Sequence, residues 1–309
     1  MPPGGSVKRK VVQHGPSTLT ISLPTAWVKQ HSIQKGDELE VEEHNAVLRV
    51  SPDRSSARRV GNIDARHLDA EMVKSLLAVM HKAGYDELNV QYADPALGTV
   101  IRDRVRSMLM GFEVVEQDER KCRIKTIAID ENAEFDHALR RCFGAVGEMS
   151  QATLEVLRGN VSHIPEALEM EDTINRLSNF CHRVINRGAV EHAQVNYLYL
   201  ISWLLESIGD TYKRMLDHVA VHQGMSIPKQ IPELCEQANA LLDRYRLLFY
   251  TYSDADMRTL REQQQRVAIE IQEYLSAENG DVAILTMHLA VLVQYLYDCF
   301  GSTTALQHV

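Results

Sequence analysis

The sequence predicts a multidomain chain: a short strand-rich head, a small α/β middle domain and a long all-α tail. Three observations carry this. The first 52 residues alternate short apolar runs with Gly, Pro and Asn punctuation. Residues near 60 to 130 alternate helical and strand patterns. From about Glu134 only helical periodicity remains, in two sets of three long segments divided by Gly224, Pro228 and Pro232.

In the head, Val11-Val12 and Leu19 to Leu23 read as strands, with Gly15-Pro16 as the turn between them. Pro24 cannot donate to a ladder, so it ends the second strand and suits a helix start. Thr25 to His31 reads as one short helix and Lys35-Gly36-Asp37 as a turn. Leu39/Val41 and Val47/Leu48/Val50 read as strands joined through Asn45. Charge is uneven. The chain of 309 residues has a net charge of −9, yet no Asp or Glu precedes Asp37, while Lys8, Arg9, Lys10, Lys29 and Lys35 do. A locally basic stretch before Asp37, in a strand-rich head on an acidic body, reads as an electrostatic footprint for a phosphate backbone. The order strand, turn, strand, Pro, helix, Lys-Gly-Asp, strand, turn, strand resembles the AbrB/SpoVT (MazE-like) domain over 1–53. The resemblance implies an N-terminal swapped-hairpin β-barrel in which two chains interleave as a homodimer that binds DNA. Lys8, Arg9 and Lys10 are then the expected phosphate contacts, with Ser17 and Thr18 hydrogen-bonding nearby. A dimer also suits the physics, since about 50 residues is near the lower limit for an independent core.

A polar, Arg-rich linker from Asp53 to Arg59 precedes the middle domain, taken as 58–130. Asp69 to Ala83 reads as a helix with Met72, Leu76, Val79 and Met80 on its apolar face, closed by Gly84. Leu88 to Val90 reads as a strand, Thr99 to Met110 as a helix, and Phe112–Val115 and Ile124–Ile129 as strands. No glycine-rich phosphate loop or nucleophile signature stands in it, so a spacer or dimerisation role is expected, and the chain is not expected to be an enzyme.

The tail, 133–309, divides into 133–223 and 230–309. Its first helix places Phe135, Leu139, Cys142, Val146, Met149, Thr153 and Val156 at three- and four-residue steps. The second runs to Gly188 and the third from about Glu191 to His222; three more lie near 233–252, 254–276 and 281–307, with Asp254 as an expected N-cap. The period of roughly 90 residues is longer than solenoid repeats and reads as two stacked three-helix bundles.

On the third helix, Ile201, Leu204, Leu205, Ile208, Tyr212, Met215 and Leu216 share one side, and Glu206, Asp210 and Asp217 the other. Glu206 and Asp210 are i and i+4, so their carboxylates can converge. The acidic face is either solvated, with Lys213 and Arg214 as counter-charge, or a cation site. Tyr199 and Trp203 on the same face, and the mid-helix Gly209, suggest that a neighbour approaches closely. The run Leu205-Glu206-Ser207-Ile208-Gly209-Asp210 resembles the signature of PhoU proteins, regulators of phosphate uptake. That resemblance implies C-terminal all-α tandem three-helix bundles and carboxylate metal sites, here Glu206, Asp210 and Asp217, with Asp172 from the neighbouring helix. A divalent or trivalent cation such as Mg, Mn, Fe or Zn is the implied cofactor. Asn175 replaces a carboxylate of the family pattern, and Asp298 and Ser302 stand in the corresponding positions of the second repeat, which weakens a second site.

The five cysteines are far apart, with no CxxC, so reduced thiols in a cytoplasmic protein are expected. The thirteen histidines are read as scattered singletons, with His14 and His182 as structural or surface residues. No signal peptide opens the chain, and the apolar run Leu289–Tyr297 is too short to span a membrane, so no membrane insertion is expected. The joining of the two modules resembles archaeal PhoU-type regulators. It implies a DNA-binding regulator of phosphate homeostasis whose tail docks a phosphate ABC transporter ATPase or a sensor-kinase component. The alternative is an adaptor that binds those components without acting on DNA. A carboxylate metal enzyme is disfavoured, because the chain lacks a Glu-x-x-His motif.

Overall fold

The computed structural model describes residues 7–44, 47–52, 58–127, 131–222 and 224–308. The chain divides into two units, residues 1–59 and 60–309. The Asn45 turn, residues 53–57 of the linker and the end of the strand expected to reach Ile129 lie outside the described residues.

The first unit holds two hairpins around one short helix. Strands β1 (Val12–His14) and β2 (Thr18–Thr20) pair antiparallel, Val12 opposite Thr20. Gly15, at φ +76°, takes the left-handed conformation that opens the turn. Helix α1 (Thr25–Gln30) starts directly after Pro24, which cannot extend the strand. The Lys35-Gly36-Asp37 turn is tied by the Asp37 carboxylate, which accepts from the Gln34 amide at 2.7 Å. Strands β3 (Leu39–His44) and β4 (Val47–Pro52) form the second hairpin. Each sheet of this unit has two strands, and among the described residues they do not pair into a closed barrel. Helix α1 buries no residue, and Val12, Leu19, Val41 and Leu48 are all exposed, Leu19 at 71%.

The second unit begins with an α/β sandwich: β5 (Val60–Asp64), α2 (Ala70–Lys82), β6 (Glu87–Gln91), α3 (Pro95–Met108), β7 (Phe112–Gln117) and β8 (Lys121–Thr126). The sheet order is β5-β6-β8-β7, with β5 and β6 parallel and the other pairs antiparallel. Ile63, Leu88, Val90, Cys122 and Ile124 pack against Val73, Leu77, Ile101 and Val105 of the two helices. Two sequence expectations are corrected here. The buried face of α2 is Val73, Leu77, Ala78 and His81, whereas Met72 and Val79 are exposed. Both stripes have helical spacing, and only the position of the sheet selects between them. Helix α3 starts four residues earlier than expected, because the Asp94 carboxylate caps it and Pro95 fits its first turn.

Six long helices follow: α4 (Glu131–Leu157), α5 (Ile164–Asn186), α6 (Val195–Val221), α7 (Gln230–Tyr250), α8 (Asp254–Ala277) and α9 (Gly280–Ala305). The first three and the last three each pack together, and the two sets meet through α6 against α9 and α4 against α7. The first-helix apolar residues named from periodicity are all buried, as are the seven apolar residues of α6. The cap of α8 is Ser253, which accepts from the Asp256 amide, and Asp254 is the first helical residue. Helix α9 is long and apolar enough to cross a membrane by length and composition, a property hidden from a search for uninterrupted apolar runs. In this fold its Leu285, Leu289, Leu292 and Leu296 are buried in the helical core.

The α/β part and the helices are one compact unit because α5 packs on α2 and α3. Arg183 of α5, 1% exposed, donates to the carbonyls of His81 (3.2 Å) and Tyr85 (2.6 Å) and to the Thr126 hydroxyl (3.1 Å). Asn186 donates to the Lys82 carbonyl and Arg187 to that of Gly84. The negative C-terminal end of α2 is thus met by a cluster of donors from α5.

Candidate functional site: the N-terminal head and the α5–α6 acidic face

Lys8, Arg9 and Lys10 are exposed and precede β1 in irregular backbone. Ser17 lies in the turn at the tip of the first hairpin, and Thr18 opens β2; both are exposed. Lys29 at the end of α1 and Lys35 are exposed as well. Among the described residues the segment before Asp37 therefore offers cations and small hydroxyls to solvent, while Asp37, Glu38, Glu40 and Glu43 after it expose carboxylates. Among the described residues of the head no apolar side chain is fully buried within one chain. A single two-stranded hairpin is marginal in water, so such side chains need a second surface to cover them.

The acidic face of α6 differs from the sequence expectation. Glu206 is half-buried against α5 rather than on an outer face, and its carboxylate accepts from the Ser178 hydroxyl at 3.1 Å. Burial raises its pKa, opposed by the positive field of Lys82 and by the Ser178 hydrogen bond. Asp210 is partly exposed, 3.8 Å from Arg214. The partner that α5 brings is Glu171, which is buried, not Asp172, which is exposed. Lys213 reaches Glu171 at 3.0 Å, and Asn175 donates to the same oxygen at 2.7 Å. Asp217 is exposed. The expected ligands Glu206, Asp210, Asp217 and Asp172 thus do not come together as a group of three among the described residues. A neighbouring carboxylate is already neutralised by Lys213, and the fit to a multivalent cation is poor there. The sequence signal that Gly209 marks a close approach does hold. A Cβ on Gly209 would stand 3.0 Å from Cδ1 of the buried Ile174 of α5. Tyr199 stacks on His182 at 4.0 Å, and Trp203 meets Tyr295 edge-on.

A different group of ligand-type side chains is present: His218, His222 and Asp281, with ligand atoms all within 4.8 Å of one another. Reading the histidines as singletons passed over the His-x-x-x-His spacing of His218 and His222, which is legible in the chain. Asp281 is 59 positions beyond His222, and no local pattern connects it to them.

Comparison with known proteins bears on the head. Residues 12–58 match the family described as MazE, antidote-toxin recognition, a bacterial antitoxin. Over this segment the head is similar to MazE-type domains. Lys8, Arg9 and Lys10 lie just before the matched segment, and the hairpin tip with Ser17 and Thr18 lies inside it. The match ends before the α/β and helical parts. No curated protein and no solved structure matches the chain.

Proposed function

We propose that this protein is a DNA-binding regulator. Its MazE-like head pairs with that of a second copy and rests on the phosphate backbone through Lys8, Arg9 and Lys10, with Ser17 and Thr18 hydrogen-bonding beside them. The observation that carries this reading is the family match on a hairpin–helix–hairpin whose cations are exposed and whose apolar residues lack cover within one chain. Pairing covers those residues and doubles the basic surface, and each phosphate neutralised steepens the salt dependence of binding.

The helical body is proposed to be the sensing or docking part. Occupation of the body by a partner would change the spacing of the two heads and so their fit to DNA half-sites. The assignment of that partner to phosphate uptake, as a transporter ATPase or a sensor-kinase component, rests on the resemblance of Leu205 to Asp210 alone. Fluorescence anisotropy of the full chain on duplex DNA across a salt series tests the DNA reading. K8A/R9A/K10A is expected to weaken binding and to lower the salt slope by roughly one unit for each phosphate no longer neutralised. Equal affinity and slope in the wild type and the triple variant, or no binding by either, would leave the adaptor that does not act on DNA as the better reading.

A further inference from the structure

The C-terminal end of α6 lies against the N-terminal end of α9. Two side-chain pairs fix the helices as antiparallel: Trp203 meets Tyr295, and fifteen residues on, His218 meets Asp281. Nε2 of His218 is 3.1 Å from Oδ1 of Asp281, and Nε2 of His222 is 3.9 Å from the same oxygen. The histidines are i and i+4 on one face of α6, with ring centroids 4.3 Å apart.

The orientation of His222 is the informative detail. Its Nδ1 is 3.0 Å from the carbonyl oxygen of His218. A carbonyl only accepts, so Nδ1 carries a proton, and in the neutral form of the ring the lone pair of Nε2 is turned toward Asp281. Lone pair and carboxylate oxygen then face each other, an arrangement that a cation between them satisfies. A backbone carbonyl that fixes the tautomer of a ligating histidine is a common second partner in metal sites. Donors around a tetrahedral ion with bonds near 2.0–2.1 Å are roughly 3.3 Å apart. The 3.1 and 3.9 Å separations to Asp281 bracket that value and all three ligand atoms lie within 4.8 Å of one another, so side-chain rotations close the set.

We propose that His218, His222 and Asp281 bind one divalent transition-metal ion, with zinc as the occupant. Two imidazoles and one carboxylate favour zinc and its first-row neighbours over Mg or Ca, which prefer oxygen alone. Three protein ligands leave a position for water or an incoming ligand. Access is provided by His222, which is exposed and lines a cleft of about 640 Å³ with Val161, Ile164, Val219, Met225 and Ile227. His288 is half-buried near Arg214 and His218, whose charges add to burial in lowering its pKa, and both Arg214 and His288 stand outside the set. The ion joins the last turn of the first helix set to the first turn of α9, immediately before the chain leaves α6 for the second set. It therefore pins the joint between the two halves of the helical body.

The test uses the full-length chain after EDTA treatment and dialysis. Zinc is titrated in competition with a chromophoric chelator, and cobalt(II) is used as a spectroscopic probe. The expected result is one zinc per chain with a dissociation constant below roughly 10 μM, visible cobalt absorption of low-coordinate type, and a thermal midpoint that rises with zinc saturation. His222 is exposed, so H222Q is expected to keep the fold while weakening zinc at least about tenfold; D281N is expected to do the same and to alter the cobalt spectrum. E206Q/D210N is expected to leave zinc affinity unchanged. No zinc bound at about 100 μM, equal affinity in the wild type and H222Q, or loss of binding in E206Q/D210N alone would each overturn the assignment.

Discussion

Replacing Arg183 with Met tests whether the α/β sandwich and the helices form one cooperative unit. The substitution keeps most of the apolar stem and removes the guanidinium. That group donates to two carbonyls at the end of α2 and to Thr126, lies 3.8 Å from Asp86, and sits 5.0 Å above the Phe112 ring. Hydrogen bonds to a charged donor contribute about 1.5–3 kcal/mol each. Part of that sum is offset, because the variant no longer buries a charge. Removing one member of a buried ion pair costs about 3–5 kcal/mol. Asp86 retains Arg187, so the low end applies and R183M is expected to lose about 3 kcal/mol. For a unit of this size that is about 6–12 °C in thermal midpoint. Urea unfolding at pH 7 in a W27F background, which leaves Trp203 on α6 as the one tryptophan, followed by far-UV circular dichroism and by fluorescence, measures it. The two probes are expected to separate in R183M, as the sandwich melts ahead of the helices. R187M, at a half-exposed position, is expected to lose clearly less. A loss in R183M below about 0.5 kcal/mol, or one equal to that of R187M, would refute the reasoning, since surface substitutions stay within about that range.

Further outcomes follow from the same geometry. G209A is expected to destabilise by about 1 kcal/mol despite its better helix propensity, because the new methyl meets the stiff, buried Ile174; I174V removes the nearest atom and is expected to cost less in the G209A background than in the wild type. Burial pulls the pKa of His81 down to about 3 and that of His182 to about 4, so both stay neutral in the fold while unfolded histidines protonate near the ordinary value of 6.5. The unfolded state then binds the extra protons, and stability is expected to fall as pH drops from 6.5 toward those folded values. Between pH 7 and pH 5 the two histidines together account for about 4 kcal/mol, and the raised pKa of Glu206 works in the opposite direction below neutrality. Urea midpoints at the two pH values read the net change, and equal stability at both would contradict the buried neutral state. The full-length chain is expected to sediment as a dimer, and L19D/L48D to dissociate it or unfold the head; a wild-type monomer with a folded head at micromolar concentration would refute the paired-head reading.

Most of the element order was legible in the chain, but the edge strand β5 (Val60–Asp64) was not, because Gly61, Asn62 and Asp64 interrupt its apolar pattern. Gly15, Pro24 and Gly36 punctuate the head, and the three- and four-residue spacing of Phe135 to Val156 and of Ile201 to Leu216 identifies helix faces, because backbone preference and burial act locally along a helix. The MazE-like head was readable for the same reason: its hairpin and turn residues stand in a fixed order within about 50 positions. Gly209 also announced its neighbour. Tertiary structure decided the rest. It selected Val73 and Leu77 over Met72 and Val79 as the buried stripe of α2, since only the sheet distinguishes two stripes of equal spacing. It placed Glu171 rather than Asp172 beside Glu206, because the rotation of α5 about its own axis is set by packing on α4 and α6. It turned Arg183, one cation among 33 Lys and Arg residues, into the buried link to α2. It also joined His218 and His222 to Asp281, a meeting that depends on where two helices cross and that no local pattern in the sequence encodes.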